Sequence, residues 1–243
     1  MMRIVAIIQA RMGSTRLPGK VLEEIAGMTM LERVVRRTAA SRLISEVTVA
    51  TTVSPHDDVI YDASSGIGCR CFRGSEQDVL DRYLRAADEF KSEIVVRITS
   101  DCPLIDAAVV DRVITAFLDE APDYASNTLE RTYPRGLDTE VLSRAALERA
   151  WREADQPYQR EHVTPFIWQQ PSLFRLLSVT DNEDHSRHRW TVDTIDDLRF
   201  VRSIYERWPN REEPGWRDVL HMVDSDPVLA SINAHVAQKT IGP

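Results

Sequence analysis

Short apolar runs alternate with longer amphipathic stretches through the first half of the chain. Residues 3–9 (RIVAIIQ) are almost continuously apolar, which is typical of a strand buried on both faces of a parallel sheet. Residues 30–38 then carry apolar side chains at helical spacing. The alternation continues and predicts strands at 47–51, 69–72 and 94–99 and helices at 57–63, 79–87 and 109–117. We therefore expect an α/β fold with a mostly parallel central sheet flanked by helices.

The second half of the chain is less regular. Residues 121–140 are rich in turn formers, and we expect loops there. The pattern beyond them predicts strands at 137–142, 173–179 and 190–192 and helices at 145–154, at 162–169 and from Ile195. We expect one domain over residues 1–243. Within it, we expect residues 121–180 to be an insertion that builds an acceptor pocket or a dimer surface, and residues 209–243 to be a helical C-terminal extension.

The loop after the first strand has the composition of an anion site. Its sequence, ARMGSTRLPGK, contains three cations and no acid. Ligands of such sheets bind at the carboxyl ends of the strands, where this loop lies, although a solvated cationic turn remains the alternative. Arginine grips phosphate bidentately, lysine supplies a point charge, and glycines let the backbone approach a ligand. The prediction depends on Arg11, Gly13, Ser14, Thr15, Arg16, Gly19 and Lys20.

Two aspartates follow predicted strands and are not needed as helix caps. Asp101 lies in TSDCPLID, where Asp106 is the better-placed N-cap. Asp193 lies in WTVDTIDDL, where Thr194 and Asp197 form a capping box. Carboxylates facing a polyphosphate are typical Mg²⁺ ligands. We predict a two-carboxylate metal site, with separate structural roles for each acid as the alternative.

The composition of the chain indicates which classes of partner it can bind. The net charge is −8, yet residues 1–42 hold eight Lys/Arg against three Asp/Glu, so an anion site near the N-terminus is compatible with an acidic chain. The overall acidity argues against nucleic-acid binding. No apolar run approaches the roughly 20 residues that span a bilayer. Three cysteines without disulfide spacing fit a reducing compartment. We expect a cytoplasmic protein with small-molecule partners and neither nucleic acid nor membrane as a partner.

Five segments together resemble one enzyme family. IIQARMGSTRLPGK, VATT, GSEQDVLDRY, TSDCPLID and VDTIDDL are similar, in this order, to the acylneuraminate / 3-deoxy-manno-octulosonate cytidylyltransferases, and most to their spore-coat-polysaccharide branch. The resemblance implies a Rossmann-like nucleotidyltransferase fold and a homodimer. It also implies an enzyme that uses CTP and Mg²⁺ to activate a sugar acid and releases pyrophosphate.

The resemblance also assigns roles to residues of this chain. It implies triphosphate binding by Arg11, Ser14, Arg16 and Lys20, metal binding by Asp101 and Asp193, and a place near the base for Arg82. The full set of predicted nucleotide-binding residues is Ala10, Arg11, Gly13, Ser14, Thr15, Arg16, Lys20, Arg82 and Ser100. The predicted catalytic residues are Arg11, Lys20 and Asp101.

The chain departs from the family pattern at two places. Thr52 follows Thr51 where sugar-acid members carry an acid, and T-S-D-C-P stands where they have Q-G-D-E-P. Because that glutamine adjoins the base, CTP and other NTPs both stay open as substrates. Acceptor binding is predicted for Asp138 and Glu140, which alternate on a predicted strand, and for Glu161. A solvated strand face is the alternative for the first two.

We therefore expect a Mg²⁺-dependent nucleotidyltransferase that transfers CMP from CTP to a sugar acid or related anionic acceptor, in the biosynthesis of surface polysaccharide. Two other classes of protein remain. One is a metal-dependent glycosyltransferase, which consumes a nucleotide sugar and releases a nucleoside diphosphate. The other is a nucleotide-binding protein without catalysis.

Overall fold

A seven-stranded sheet forms the centre of the molecule in the computed structural model, which describes residues 2–209 and 212–239. The strands are β1 (Ile4–Gln9), β2 (Glu24–Ile25), β3 (Met28–Thr29), β4 (Glu46–Thr52), β5 (Arg70–Gly74), β6 (Ile94–Thr99), β7 (Tyr124–Ser126), β8 (Glu140–Ser143) and β9 (Leu176–Ser178). β2 and β3 form a separate two-stranded ribbon, and the other seven strands form the central sheet. The order across the sheet is β5-β4-β1-β6-β8-β7-β9. Within this seven-stranded sheet of the described residues, β8 runs antiparallel to the other six strands. The predicted α/β fold with a mostly parallel sheet is confirmed.

Helices cover both faces of this sheet. They are α1 (Met30–Ala39), α2 (Asp58–Gly66), α3 (Val79–Glu89), α4 (Ala107–Glu120), α5 (Arg144–Glu153), α6 (Pro157–His162), α7 (Pro165–Trp168), α8 (Ile195–Arg207), α9 (Trp216–Ser225) and α10 (Pro227–Ser231). Alternate residues of β1 enter different cores: Ile4, Ala6 and Ile8 pack on one face, and Val5 and Ile7 on the other. The interpretation of β1 as a strand buried on both faces is confirmed.

Both predicted caps form. Asp106 accepts hydrogen bonds from the backbone N–H groups of Ala108 (2.9 Å) and Val109 (3.2 Å) at the start of α4. Thr194 and Asp197 form the capping box of α8. Capping satisfies the exposed backbone donors of each first turn. Neither Asp101 nor Asp193 is therefore needed as a cap.

The second half departs from the predicted elements in several places. Residues 190–192 do not form a strand, because their backbone pairs with two loops instead: the Trp190 N–H donates to Arg135 O (2.6 Å) and the Val192 N–H to Asp101 O (2.8 Å). The predicted helix at 162–169 is two short helices, broken where Val163 adopts a positive φ of 73°. β7 lies inside the predicted loop region 121–140.

The predicted strands at 137–142 and 173–179 are shorter in the structure. Asp138 precedes β8, so it does not alternate with Glu140 along a strand. Because β7, β8 and β9 all fall within residues 121–180, this segment extends the central sheet rather than standing apart from it.

The C-terminal part of the chain packs as helices on a third core. Trp216, Val219 and Val223 of α9 join α8 and Trp190 there. The predicted helical extension over residues 209–243 thus contains α9 and α10, while residues 210, 211 and 240–243 lie outside the described part. No helix within residues 2–209 and 212–239 combines the length and the apolar character needed to cross a bilayer.

Candidate functional site

A cleft of about 810 Å³ lies where β1 and β6 end, at the carboxyl edge of the sheet. The loop after β1 and the loop after β6 form its centre, as expected for parallel strands. Except for Gly19 of the cationic loop, the predicted site residues line this one cleft, namely Ala10, Arg11, Gly13, Ser14, Thr15, Arg16, Lys20, Arg82, Ser100, Asp101, Asp138, Glu140, Glu161 and Asp193. The fold therefore brings together groups that are scattered over most of the sequence.

Lys20 joins the two unexplained aspartates. Its Nζ lies 2.9 Å from Asp101 Oδ2, 2.9 Å from Asp193 Oδ1 and 2.7 Å from the carbonyl oxygen of Val192. The three hydrogens of the ammonium group are thus all donated. Burial favours the neutral amine, but the Asp101 and Asp193 carboxylates outweigh it and raise the pKa of Lys20. Lys20 is a fixed cation between two carboxylates.

Asp193 also receives two guanidinium groups. Arg16 Nη2 lies 2.9 Å and Arg189 Nη2 lies 2.8 Å from its Oδ2. Burial alone would raise the pKa of this carboxyl, but Lys20 and the two arginines lower it below its usual value. Asp193 therefore stays ionised at neutral pH.

Backbone contacts explain why these two acids meet although they are far apart in the sequence. Val192 and Thr191 both donate to Asp101 O, from the backbone N–H at 2.8 Å and from Oγ1 at 3.2 Å. Thr194, the residue that follows Asp193, is then the N-cap of α8. Residues 190–192, which the sequence pattern predicts as a strand, therefore place Asp193 beside Asp101 through these backbone contacts.

Asp57 anchors the cationic loop, a role that the sequence analysis missed. Its carboxylate accepts hydrogen bonds from the Met12 N–H (2.7 Å) and from the hydroxyl of Thr52. Met12 O in turn accepts from the N–H groups of Ser14 (2.8 Å) and Gly19 (3.1 Å). The signal was its position five residues after the end of β4, at the same edge of the sheet.

Arg82 is a buried cation that lines the cleft near the end of β5. Its Nη1 donates to Ser75 O (2.8 Å), and no carboxylate of the described residues lies within ion-pair distance of it. Burial and, more weakly, the charge of Arg11 lower the pKa of its guanidinium. A positive group with spare hydrogens at this position suits a phosphate or a carbonyl oxygen.

Two of the predicted acceptor-binding acids are already paired. Arg131 donates to both oxygens of Asp138, at 2.6 and 2.8 Å. Glu140 pairs with Arg97 and accepts hydrogen bonds from the hydroxyls of Tyr124 and Thr164, each at 2.6 Å.

Glu161 keeps its carboxylate more accessible. It is half-exposed and lies 3.8 Å from Arg11. Sequence reasoning missed the arginines on this side of the cleft, Arg97, Arg131 and Arg135. The signal for Arg135 was its position in PRGLDTEVL, residues 134–142, within the segment 121–180 that is predicted to build an acceptor pocket or a dimer surface.

The oxygen ligands at the centre suit a hard divalent cation. Asp101 and Asp193 direct carboxylate oxygens at one cation position, which is the ligand chemistry that Mg²⁺ takes. Within the described part of the chain, no group of three or more His, Cys, Asp or Glu residues is arranged to hold a metal. Further ligands would therefore have to be phosphate oxygens and water, which is usual for Mg²⁺ in nucleotide sites.

Comparison with known proteins agrees with this architecture. A family model for cytidylyltransferases matches residues 5–207, and the chain belongs to that family. It is 32% identical to the spore coat polysaccharide biosynthesis protein SpsF of Bacillus subtilis over 94% of this chain and 97% of that protein. It is 36% identical to an uncharacterised protein of Methanocaldococcus jannaschii, with 98% of both chains covered.

A third relative is similar over about half its length. A 3-deoxy-manno-octulosonate cytidylyltransferase of Geobacter sulfurreducens is 44% identical over 53% of this chain and 50% of its own.

Solved structures show the same fold. A cytidylyltransferase from Leptospira borgpetersenii superposes with a TM-score of 0.91 at 32% identity, covering 99% of this chain and 100% of that one. A CMP:2-keto-3-deoxy-manno-octonic acid synthetase complexed with CTP gives a TM-score of 0.65 at 21% identity, covering 84% and 99%. The resemblance noted in the sequence and the nucleotidyltransferase fold that it implied are confirmed.

Proposed function

We propose that this protein is a Mg²⁺-dependent cytidylyltransferase. It transfers CMP from CTP to an anionic sugar-type acceptor, releases pyrophosphate, and acts in the biosynthesis of a surface polysaccharide. The observation that carries the proposal is that the cationic loop of residues 10–20 meets Asp101 and Asp193 in one cleft through Lys20. Relatives named as a 3-deoxy-manno-octulosonate cytidylyltransferase and as a spore coat polysaccharide protein support the choice of nucleotide and of pathway class.

The loop would bind the triphosphate. Arg11 is half-exposed in the cleft, and Arg16 lines the same cleft with one guanidinium nitrogen 2.9 Å from Asp193. Arginine binds phosphate oxygens through paired N–H groups, which aligns the α-phosphate as well as attracting it. Arg82 adds a further positive charge towards the nucleotide side.

Asp101 and Asp193 would hold Mg²⁺. When bound, the ion supplies neutralisation of the charge on the phosphates. Because Lys20 now donates to both carboxylates, it would transfer its hydrogen bonds to phosphate oxygens when nucleotide and metal are present. Lys20 would then stabilise the negative charge on the departing pyrophosphate.

The chemical step needs positioning more than covalent work by the protein. An acceptor oxygen attacks the α-phosphorus in line, the new P–O bond forms, and the bond to the bridging oxygen of pyrophosphate breaks; the proton of an attacking hydroxyl passes to water. Arg11, Arg16 and Lys20 would hold the three phosphates for this line of attack. We assign no side-chain general base.

The test is a pyrophosphate-release assay. Each of the four NTPs is incubated with Mg²⁺ and with 3-deoxy-manno-octulosonate, N-acetylneuraminate and related acids. We expect release with CTP and at least one acid. Asp101→Asn should reduce kcat at least tenfold, since charge neutralisation by a metal is worth several kcal/mol. Asp119→Asn, on the exposed side of α4, is the matched control.

Two results would contradict the proposal. Release of a nucleoside diphosphate from a nucleotide sugar, with no pyrophosphate from CTP, indicates a glycosyltransferase. Tight nucleotide binding without turnover on any acceptor indicates a binding protein.

The homodimer that the resemblance implies is part of the same proposal. Light scattering of the purified chain tests it: a mass near twice 27.7 kDa supports a dimer. A mass of one chain at all concentrations contradicts it.

A further inference from the structure

The cations of the cleft differ in whether a carboxylate neutralises them. Arg11, Arg16, Lys20, Arg97 and Arg131 each have an acidic partner within 4.0 Å. Among residues 2–209 and 212–239, the cleft cations with no such partner are Arg82, Arg135 and Lys239. An uncompensated positive charge that faces a cavity marks a place where an anion is stabilised.

Arg82 and Arg135 both line the cleft, but on opposite sides of β1 and β6 in the strand order. Arg82 binds the backbone of Ser75, which follows β5 at one edge of the sheet. Arg135 precedes β8, which lies on the other side of β6. The cleft therefore has two uncompensated cationic sides. Lys239 belongs to the Arg135 side, because the preceding residue, Gln238, accepts a hydrogen bond from Arg189, whose backbone bridges to Arg135. Only the Arg82 side adjoins the predicted base position. The Arg135 side is left for the second substrate.

The backbone of Arg135 is held firmly. Its N–H donates to His188 O (3.0 Å), and its carbonyl oxygen accepts from the Trp190 N–H (2.6 Å). The next residue, Gly136, has φ 110°, and a Cβ there would lie 2.7 Å from backbone atoms of Trp190 and Thr191. Only glycine fits such a position. The turn that carries Arg135 is thus fixed against the segment that leads to Asp193.

The neighbours of Arg135 leave it as the free donor. Arg131 is committed to Asp138 through both oxygens, and the Gly136 N–H also points to Asp138 (3.3 Å). Arg189 is committed to Asp193 and Asp197. Burial lowers the pKa of the Arg135 guanidinium, and the charge of Arg131 lowers it further, while Asp138 and Asp193 act in the opposite direction.

We propose that Arg135 determines acceptor specificity by binding the oxyanionic group of the acceptor, a carboxylate or a phosphonate, across the reaction centre from the base. The inference rests on the proposed function and adds the residue that recognises the second substrate. A guanidinium offers two parallel N–H donors, which match the paired oxygens of either group. The predicted acceptor ligands Asp138 and Glu140 would then position arginines and hydroxyls rather than bind the acid themselves.

The test measures binding separately from turnover. Protein loaded with Mg²⁺ and α,β-methylene-CTP, which cannot transfer CMP, is titrated with 3-deoxy-manno-octulosonate, with its neutral methyl ester and with 2-hydroxyethylphosphonate. The variants are Arg135→Gln and Arg135→Lys, with Arg42→Gln, an exposed arginine away from the cleft, as the matched control. Affinity for the nucleotide analogue is measured on every variant.

We expect the wild-type protein to bind at least one of the two anions. If the bound group is the carboxylate, the affinity for the neutral methyl ester should be at least tenfold lower than the affinity for the acid. Arg135→Gln should weaken anion binding by about ten- to a hundredfold, the usual range for a charge-assisted hydrogen-bonded pair. Arg135→Lys should recover part of the loss. Nucleotide-analogue affinity should stay within about twofold in all variants, which a merely destabilised protein would not show.

Three results would overturn the inference: unchanged anion affinity in Arg135→Gln, a parallel loss of nucleotide affinity, or no binding of either anion by the wild type. Failure of the proposed function is distinguishable from these. In that case the anion binds in an Arg135-dependent way, yet CTP yields no pyrophosphate.

Discussion

Replacing Lys20 by methionine removes the cation that joins the two aspartates while keeping an unbranched side chain of similar length. The variant loses hydrogen bonds to Asp101, to Asp193 and to the carbonyl oxygen of Val192. It leaves two carboxylates facing each other. Lys20→Met therefore perturbs the electrostatics of the centre with little change in volume.

The size of the effect follows from burial. Breaking a fully buried ion pair costs about 3–5 kcal/mol. Here the side chains of Lys20, Asp193 and Asp101 are 10%, 16% and 25% exposed, and Asp193 keeps Arg16 and Arg189. We expect a loss of about 2–3 kcal/mol, which corresponds to a decrease in Tm of roughly 5–10 °C for a chain of this size.

The assay is thermal unfolding at pH 7 without nucleotide, for wild type, Lys20→Met and Lys91→Met. Lys91 is exposed and serves as the matched control. The same samples are then titrated with Mn²⁺ alone. Because the variant has two carboxylates without their ammonium partner, we expect Mn²⁺ to raise its Tm, and to leave that of the wild type nearly unchanged.

A Tm for Lys20→Met within about 1 °C of the wild type would refute the claim that this ammonium stabilises the centre. Equal responses of the two proteins to Mn²⁺ would refute the claim that Lys20 and a metal compete for the same oxygens.

Three further predictions test the supports of the site. Asp57→Asn should raise the KM for CTP about tenfold with a smaller effect on kcat, because it weakens the contacts to Met12 and Thr52 that hold the loop; an unchanged KM in steady-state kinetics would contradict this. Gly136→Ala should lower the Tm by several degrees, since its Cβ would lie 2.7 Å from the backbone of Trp190. A Tm equal to that of the wild type would show that the backbone of this turn moves to accept the Cβ at no cost in stability. The pKa of Asp193 is lower in the folded protein than in the unfolded chain, where it is about 3.9, so its contribution to stability is present above that value and is lost as pH falls through the folded pKa. The urea midpoint should therefore decline less between pH 7 and pH 3 for Asp193→Asn than for wild type. Parallel pH curves for the two proteins would argue against the lowered pKa.

Much of the site was predictable because elementary rules converge on it. Parallel strands open their ligand loops on one edge, so the loop after β1 and the loop after β6 had to be neighbours. Once Asp106 and Thr194 are assigned as helix caps, Asp101 and Asp193 remain as acids without a local structural role, which makes them candidates for metal binding. The contacts of both acids with Lys20 confirm that these two distant segments share a cleft.

Other features depended on tertiary contacts that no local pattern encodes. Trp190 and Val192 are large apolar residues, as in a strand, but they are buried in the third core, and their backbone N–H groups donate to loops. β7 has three residues and lies among turn formers, so it carries almost no periodic signal. Asp57 ends a short 3₁₀ helix before α2, and Arg135 lies in an irregular segment before β8. At such positions a surface residue and a structural residue have the same sequence pattern.

The most direct test of the account is the binding of Mn²⁺ in the presence of α,β-methylene-CTP, measured by electron paramagnetic resonance on wild type, Asp101→Asn and Asp119→Asn. We expect wild type and Asp119→Asn to hold one Mn²⁺ with the nucleotide, and Asp101→Asn to bind Mn²⁺ at least tenfold more weakly, because it lacks one of the two protein ligands. Equal Mn²⁺ affinity in Asp101→Asn and wild type would contradict the claim that the cationic loop and the two aspartates form one nucleotide and metal site.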